Sequence, residues 1–240
     1  MTLRWLICFN ASLLPLCAGA VSGRVELRDS RYAAVRNHQD YSGVVVALTP
    51  LESMTTPAPA RHAVMLQKDK TFSPHVLAIQ AGSLVDFPNA DPIFHNAFSS
   101  YNGQVFDIGL YPPGTTRGVK FARPGVVRVF CNIHASMNAV IVVIASPYFA
   151  TTKKDGTFSM GEVPQGQYNL TVFHERASEA ALGELSRKIT VGPDGANLPN
   201  IVISEAGYLS IPHKNKYGHD YPPVSDDPGY PGSKMLGGKP

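Results

Sequence analysis

The sequence predicts an all-β protein, and three observations support this prediction. Short apolar runs of roughly four to eight residues recur between residue 20 and residue 204. Turn signals such as Ala81-Gly82 and Pro124-Gly125 separate these runs, and 21 Gly and 20 Pro suit a chain with many turns. Many short strands joined by such turns are typical of a β-sandwich or a β-barrel.

Residues 1–20 have the pattern of a secretory signal peptide, with Arg4, a short apolar stretch and a small-residue end at Ala18-Gly19-Ala20. We expect cleavage after Ala20 and export to the periplasm. A lipoprotein signal would need a small residue before Cys17, where Leu16 stands. No later stretch approaches the ~20 apolar residues of a membrane-spanning helix, so we expect no transmembrane segment after cleavage.

Two predicted strands precede the central part of the chain. Residues 23–28 alternate between apolar and polar, which indicates a strand with one face exposed to solvent. Residues 43–48 indicate a more buried strand, and the Pro-rich segment 51–61 indicates a linker. Residues 62–146 then contain about eight short strands, which we place at 63–66, 76–79, 83–87, 95–99, 104–110, 118–121, 126–131 and 139–144.

The last third of the chain has a different pattern. Asp155-Gly156 is a hairpin-turn signal, and strands are predicted at 157–160, 168–173, 187–191 and 201–203. Residues 175–185 are rich in Ala and Glu and suit a helical turn or a loop. Residues 205–240 are rich in Gly and Pro and lack apolar periodicity, so we expect a mobile or loosely draped tail.

Charge and cysteine content limit the possible functions. The formal net charge of +3 is small and no basic run is interleaved with aromatic residues, which argues against a nucleic-acid partner. Signal cleavage would remove Cys8 and Cys17 and leave Cys131 as the one cysteine. A single cysteine in an exported protein indicates intermolecular pairing, a reactive thiol or a metal ligand, unless it is a small buried hydrophobe.

The residues around Cys131 favour the metal ligand. Cys131, His134 and Met137 have Cys-x2-His-x2-Met spacing at the end of a predicted strand. His95 supplies a second imidazole, and two His, one Cys and a weak axial Met are the ligand set of a type 1 (blue) copper site. Zinc would need only the two His and the Cys, but the thioether favours copper. We expect one copper ion per chain, with the amide of Asn96 tying the His95 strand to the Cys131 loop.

Four motifs carry a family resemblance: Thr71-Phe72-Ser73-Pro74, the segment 82–91, His95-Asn96 and the loop 124–137. With these motifs, residues 67–144 resemble the plastocyanin/amicyanin family of cupredoxins. The resemblance implies a cupredoxin Greek-key β-sandwich or barrel at 62–146. It also implies type 1 copper held by His95, Cys131, His134 and Met137.

A second resemblance covers residues 146–175, through Asp155-Gly156-Thr157-Phe158, the segment 163–168 and Leu170-Thr171-Val172. This part looks like a carboxypeptidase regulatory-like (transthyretin-like) β-sandwich, whose usual first strands would lie in 21–50. The cupredoxin domain would then be inserted in a sandwich formed by 21–50 and 147–204. The alternative is a cupredoxin domain followed by a second small sandwich. The combination is similar to exported proteins of the methylamine-utilisation type.

These inferences predict a periplasmic copper protein that acts in one-electron transfer and is not an enzyme. Its partner would be another redox protein, such as a cytochrome or a dehydrogenase. The alternatives are a copper-binding carrier and an envelope interaction module, both without an electron-transfer role. We interpret Asp91 and Asp107 as turn or capping residues and the six other histidines as surface or hydrogen-bonded residues.

Overall fold

The computed structural model describes residues 18–52, 61–100, 103–210 and 212–221. These residues form 18 strands, arranged in five sheets, and two short helices, which confirms the predicted all-β class. Most of the predicted signal peptide, linker and tail lies outside the described residues, at 1–17, 53–60 and 222–240. Within the described ranges, no helix is both long and apolar enough to cross a membrane.

The elements are short and follow each other closely. The first half of the chain contains β1 (Ala18–Arg28), α1 (Ala33–His38), β2 (Val45–Pro50), β3 (His62–Val64), β4 (Leu66–Lys68), β5 (Thr71–Ser73), β6 (Val76–Gln80), β7 (Ser83–Pro88), β8 (Phe98–Ser99) and β9 (Phe106–Asp107). The second half contains β10 (Thr116–Phe121), β11 (Gly125–Phe130), β12 (Asn138–Ile144), β13 (Tyr148–Thr151), β14 (Thr157–Pro164), β15 (Gly166–Phe173), α2 (Glu179–Leu185), β16 (Arg187–Val191), β17 (Ala196–Asn197) and β18 (Ile201–Ser204).

The strands at the two ends of the described chain pair with each other. β1 is antiparallel to β14 and parallel to β17 and β18, while β2 lies antiparallel between β13 and β15. The central strands form the sheets β6-β12-β11-β8-β9 and β10-β7-β3 and the small hairpin β4-β5. A cleavage after Ala20 would remove the first three residues of β1. The domain boundaries expected from the sequence stay a prediction.

Each group of strands encloses an apolar core. In β1 every buried apolar side chain, from Val21 to Leu27, joins one cluster with Leu48, Tyr168 and Ile201, which we call the sandwich core. A second cluster, which we call the barrel core, lies between the central sheets and includes Met65, Phe87, Tyr111, Phe121, Val127, Cys131 and Met137. Fully burying a large apolar side chain contributes about 1.5–3 kcal/mol to the free energy of folding. Burial of the side chains in these two cores therefore stabilises both groups of strands.

A third apolar cluster joins the two groups of strands. Side chains on a strand alternate between its two faces. Leu48 of β2 therefore lies in the sandwich core, while Val45 and Ala47 face the opposite way. They pack against Val140 and Val142 of β12, whose alternate residues lie in the barrel core. This explains why β2 is buried on both faces, as its continuous apolar run predicts.

Polar side chains continue the contact between the two groups, and we call them the interface network (Ser30, His75, His174, Glu175, Arg176 and Glu205). The buried Glu205 carboxylate accepts hydrogen bonds from Ser30 Oγ (2.6 Å), His174 Nε2 (2.8 Å) and Arg176 Nε (3.0 Å). Arg176 also donates to Glu175, at 3.1 Å. His75 Nε2 donates to Glu175 at 2.8 Å, and His75 Nδ1 lies 3.2 Å from the carbonyl of Asn138.

The charge of His75 is expected to stabilise the protein at low pH. The hydrogen bond to Glu175 raises the pKa of His75, and neighbouring Arg176 opposes this shift. A raised pKa contributes stability that is complete below the unfolded value near 6.5 and is lost as pH rises through the folded value. Urea unfolding should therefore show His75→Gln less stable than the wild type at pH 5.5, with a smaller difference at pH 9.

The expected difference for His75→Gln is below about 1 kcal/mol, since 46% of this side chain is exposed. The exposed His38→Gln variant is the control. An equal difference at both pH values would contradict the prediction.

Candidate metal centre

Cys131 follows β11 directly and points into the barrel core. Alternate side chains of a strand share one face, and Val127, Val129 and Cys131 are all fully buried. Antiparallel pairing with β12 fixes β11 along its whole length. The thiol is therefore held inside the protein at the point where the strand ends, as the alternation predicts.

His95 lies between β7 and β8 and is held opposite Tyr111. The N–H of His95 donates to the carbonyl of Tyr111 at 3.2 Å, and the N–H of Tyr111 donates to the carbonyl of His95 at 2.9 Å. The Tyr111 hydroxyl in turn donates to the carbonyl of Phe87 at 2.9 Å. Both rings are fully buried, so the imidazole is fixed in the barrel core rather than displayed on a mobile loop.

The segment from Cys131 to Met137 turns back on itself. The N–H of Cys131 donates to the carbonyl of Met137 at 3.1 Å, and the N–H of Met137 donates to the carbonyl of His134 at 3.0 Å. Met137 is fully buried in the same cluster as Cys131, whereas His134 is the least buried of the four predicted ligands. The short x2 spacings therefore bring the backbones of all three residues together.

Three of the predicted ligands meet at one point. The ligand atoms of His95, Cys131 and His134 lie within 4.8 Å of one another. Cys131 Sγ is 3.9 Å from Nδ1 of His95 and 3.8 Å from Nδ1 of His134, and the two rings meet edge to face with centroids 5.0 Å apart. Metal–nitrogen and metal–sulfur bonds of about 2.0–2.3 Å fit between atoms at these separations. It is the one such group of His, Cys, Asp and Glu in the part of the chain that the structure describes.

The surroundings of the sulfur suit a bound thiolate. Burial raises the pKa of the Cys131 thiol, while the backbone N–H groups of Ile133, Asn96 and His134 lower it. A cation at the site would add its own charge to these donors and favour the thiolate. Burial also lowers the pKa of His95, so this ring is neutral and has a lone pair for a metal.

Asp91 contacts His95 on the side away from the sulfur. His95 Nε2 donates to Asp91 Oδ2 at 2.7 Å, which leaves Nδ1 without a proton and facing Cys131. Asp91 also accepts hydrogen bonds from the N–H groups of Asp69 (2.6 Å) and Lys70 (2.9 Å). Burial raises the pKa of Asp91, but the three donors outweigh it and hold the pKa below its usual value. The carboxylate is therefore charged and fixed.

The contact between Asp91 and His95 is what the sequence interpretation missed. Asp91 does cap a turn, as expected, through the N–H groups of Asp69 and Lys70. Its second role depends on the path of the loop from Asn89 to His95, which Asn89 shapes by donating to the carbonyl of Ile93 at 2.8 Å. No regular periodicity in the sequence predicts such a loop path.

Asn96 connects the two segments that carry the ligands. Its Oδ1 accepts from the N–H of Asn132 at 3.0 Å, so the residue after His95 is bonded to the residue after Cys131. Its Nδ2 donates to Asp107 Oδ1 at 2.7 Å. The hydrogen bond expected from the sequence is therefore present, and Asp107 extends it.

The described tail residues 212–221 lie against the segment 131–137, which we call the ligand loop because it carries three of the predicted ligands. The Tyr221 hydroxyl donates to the carbonyl of Cys131 at 2.6 Å, and the N–H of Lys216 donates to Asn132 Oδ1 at 3.0 Å. His213 stacks on Phe130 with ring centroids 4.1 Å apart. The expectation of a mobile or loosely draped tail did not anticipate these contacts.

Comparisons with known proteins give cupredoxins as structural neighbours at low coverage. No protein family and no curated protein matches the sequence. A copper-containing nitrite reductase from Thermus scotoductus SA-01 is 23% identical, with 41% of this chain covering 25% of that chain at a TM-score of 0.33. A purple cupredoxin from Nitrosopumilus maritimus is 24% identical (34% and 99% covered, TM-score 0.31), and amicyanin from Paracoccus versutus is 19% identical (41% and 97% covered, TM-score 0.33).

This chain therefore spans about a quarter of the length of the nitrite reductase that it matches. Identities and TM-scores at this level do not transfer a function.

Proposed function

We propose that this protein binds one copper ion in a type 1 site and acts in one-electron transfer. The observation that best supports the proposal is the meeting of Cys131 Sγ with the Nδ1 atoms of His95 and His134. One thiolate and two imidazoles serve both the soft and the harder oxidation state of copper. Met137 is the proposed weak axial ligand, because it is buried in the same cluster and its backbone is bonded to Cys131.

Copper at this site would supply a one-electron couple, and the residues around it would keep the ligands in place during transfer. Asp91 orients the His95 ring, and Asn96 holds the Cys131 loop against the His95 segment. Burial excludes water from the sulfur. His134 is the proposed route for the electron, since it is the least buried ligand.

The proposal also covers location, partners and domains. We propose export to the periplasm by residues 1–20, with a cytochrome or a dehydrogenase as the redox partner and no enzymatic activity in this chain. The cupredoxin domain at 62–146 is proposed to be inserted in a sandwich formed by 21–50 and 147–204. The pairing of β1 and β2 with strands after residue 147 supports this arrangement.

The visible and EPR spectra of the copper-loaded protein test the proposed ligands. With one equivalent of Cu(II), the wild type is expected to show a strong thiolate-to-copper band and narrow hyperfine splitting, because the thiolate is the ligand that makes a type 1 site blue. Cys131→Ser and His134→Ala should lose both features, while the exposed His219→Ala keeps them. A pale, ordinary Cu(II) spectrum that Cys131→Ser leaves unchanged would refute the site.

A second measurement separates electron transfer from copper delivery. The loaded wild type is expected to be reduced and reoxidised reversibly, and to retain its copper against a chelator, because three of its four ligands are fully buried. Ready release of copper to the chelator with no reversible couple would favour the copper-carrier alternative.

A further inference from the structure

We infer that residues 212–221, which we call the strap, position the ligand loop of the metal centre and hold it closed before any metal binds. The inference deepens the proposed function and rests on it for its meaning. The hydrogen bonds and ring contacts that support it are made by the folded chain itself and do not require a metal. The strap follows the last of the 18 strands in the sequence, so pairing within a sheet does not fix its position.

A closed ring of hydrogen bonds joins the strap to the segments that follow His95 and Cys131. Asn96 accepts from the N–H of Asn132, and Asn132 Oδ1 accepts from the N–H of Lys216. Lys216 Nζ donates to Asp107 Oδ2 at 2.8 Å, and Asp107 Oδ1 accepts from Asn96 Nδ2 at 2.7 Å, which closes the ring. Asn96 and Asn132 each follow a predicted ligand. The strap therefore adds a second path, through Lys216 and Asp107, to the direct hydrogen bond that joins the His95 segment to the Cys131 loop.

The strap also holds the backbone of Cys131. Its N–H is bonded within the loop to the carbonyl of Met137, and its carbonyl accepts from the Tyr221 hydroxyl at 2.6 Å. A shielded backbone carbonyl without a partner costs free energy comparable to a lost hydrogen bond. The loop therefore pairs the backbone N–H of Cys131 and the strap pairs its carbonyl.

The His213 ring of the strap packs against the aromatic rings of Phe130 and Tyr221. Its ring lies 4.1 Å from the Phe130 ring at an angle of 30°, and 5.1 Å from the Tyr221 ring in an edge-to-face arrangement. Its Nε2 donates to the carbonyl of Ala135 at 2.9 Å. One strap side chain therefore contacts both ends of the segment 130–135, on either side of Cys131.

The strap is itself built to present these side chains. Asn215 accepts from the N–H of Gly218 at 3.0 Å through its carbonyl and from the N–H of Tyr217 at 2.9 Å through its side chain. This turn places Lys216 toward the loop, where its N–H reaches Asn132. His213, Lys216 and Tyr221 are half-buried, whereas the strap's other residues of the same types are exposed, namely Lys214, Tyr217 and His219.

The two sets of residues provide a matched experiment in the full-length chain. The strap variant combines His213→Ala, Lys216→Ala and Tyr221→Phe. The control variant combines His219→Ala and Lys214→Ala at exposed positions and keeps Tyr217, whose ring contacts Lys216 Nζ. The measurement is the rate at which iodoacetamide alkylates Cys131 in the metal-free protein, with the urea unfolding midpoint measured alongside.

The strap variant is expected to react at least about tenfold faster than the wild type while its urea midpoint shows that it is still folded, and the control variant is expected to react at the wild-type rate. Tyr221→Phe alone removes one hydroxyl and should still raise the rate about threefold, which keeps the test valid if the triple variant does not fold. Rates within twofold of wild type in Tyr221→Phe and in a folded strap variant would overturn the inference.

The outcome is independent of copper. A faster reaction in the strap variant, together with an ordinary Cu(II) spectrum in the wild type, would support the strap and refute the type 1 site. A wild-type alkylation rate in the strap variant, together with a blue spectrum of the wild-type protein, would refute the strap and support the type 1 site.

Discussion

Replacing Asp91 by Ala is expected to weaken copper binding by about 10- to 100-fold, which is typical for loss of a carboxylate that orients a ligating histidine. The His95 ring is held by a 2.7 Å hydrogen bond from its Nε2 to Asp91 Oδ2. Without this acceptor the Nε2–H is buried with no partner, and the Nδ1–H tautomer, which cannot ligate through Nδ1, gains population. The variant also loses the cap on the N–H groups of Asp69 and Lys70.

Asp91→Asn separates charge from shape. The amide oxygen can still accept from the loop N–H groups, but the negative charge beside His95 is gone. The oxidised form of a copper site carries one more positive charge than the reduced form, so the reduction potential should rise in this variant. Chelator competition gives the affinity and voltammetry gives the potential.

Asp86→Asn is the control for Asp91→Asn, since this carboxylate lies on β7 and contacts His62 instead of a predicted ligand. Wild-type affinity and wild-type potential in both Asp91 variants would show that the contact with His95 does not act on the metal.

The second large effect concerns stability in acid. Burial raises the pKa of Glu205, but His174, Arg176 and Ser30 outweigh it and lower the pKa from 4.5 to about 2. One pKa unit corresponds to ~1.4 kcal/mol, so this carboxylate contributes roughly 3 kcal/mol to folding at pH 7. A lowered pKa gives stability that is complete above the unfolded value and is lost as pH falls through the folded one.

Glu205→Gln is therefore expected to lower the free energy of unfolding by about 3 kcal/mol at pH 7. The difference from wild type should shrink as pH falls below 4.5 toward 2. Urea unfolding at pH 7 and pH 3 measures both quantities, and the exposed Glu184→Gln in α2 is the control. A variant as stable as wild type at pH 7, or a difference that does not shrink in acid, would contradict this account.

The sequence predicts those parts of the molecule that depend on local pattern. The alternation in β1 and the continuous apolar run in β2 correctly predict strands, because the order of polar and apolar residues along the chain determines which side chains are buried. The structure brings Cys131 and His134 together because only two residues separate them. His95 joins them through its backbone pairing with Tyr111.

The features that could not be predicted depend on long-range packing. Strand β13 has four residues, Tyr148–Thr151, and pairs with β2 alone, so it is too short for an alternating pattern to be recognised in the sequence. Helix α1 buries only Val35 and has no side-chain cap, so it has neither an apolar stripe nor a start signal. The strap and Asp91 act through loop paths, and hydrogen bonds between distant loops leave no periodic trace in a sequence.

The pairing of β1 has a consequence for how the chain folds. Val25 of β1 is paired with Ile201 of β18, so nearly the whole described chain lies between two strands that touch. Closing a loop costs more entropy as it lengthens, and contacts that are distant in sequence slow folding. Once the strands from β3 to β12 have collapsed around the barrel core, they bring Leu48 and Tyr148 to positions where they can pair, and the effective loop becomes short.

The group of strands from β3 to β12, which contains the predicted ligands, is thus expected to reach its native state first. Until β14, β17 and β18 have been synthesised, β1 has no partner, and its unpaired edge is open to the wrong neighbour. Because synthesis begins at the N-terminus, β1 is made first and stays unpaired until its late partners have been made. Folding is expected to end with the pairing of β14, β17 and β18 with β1.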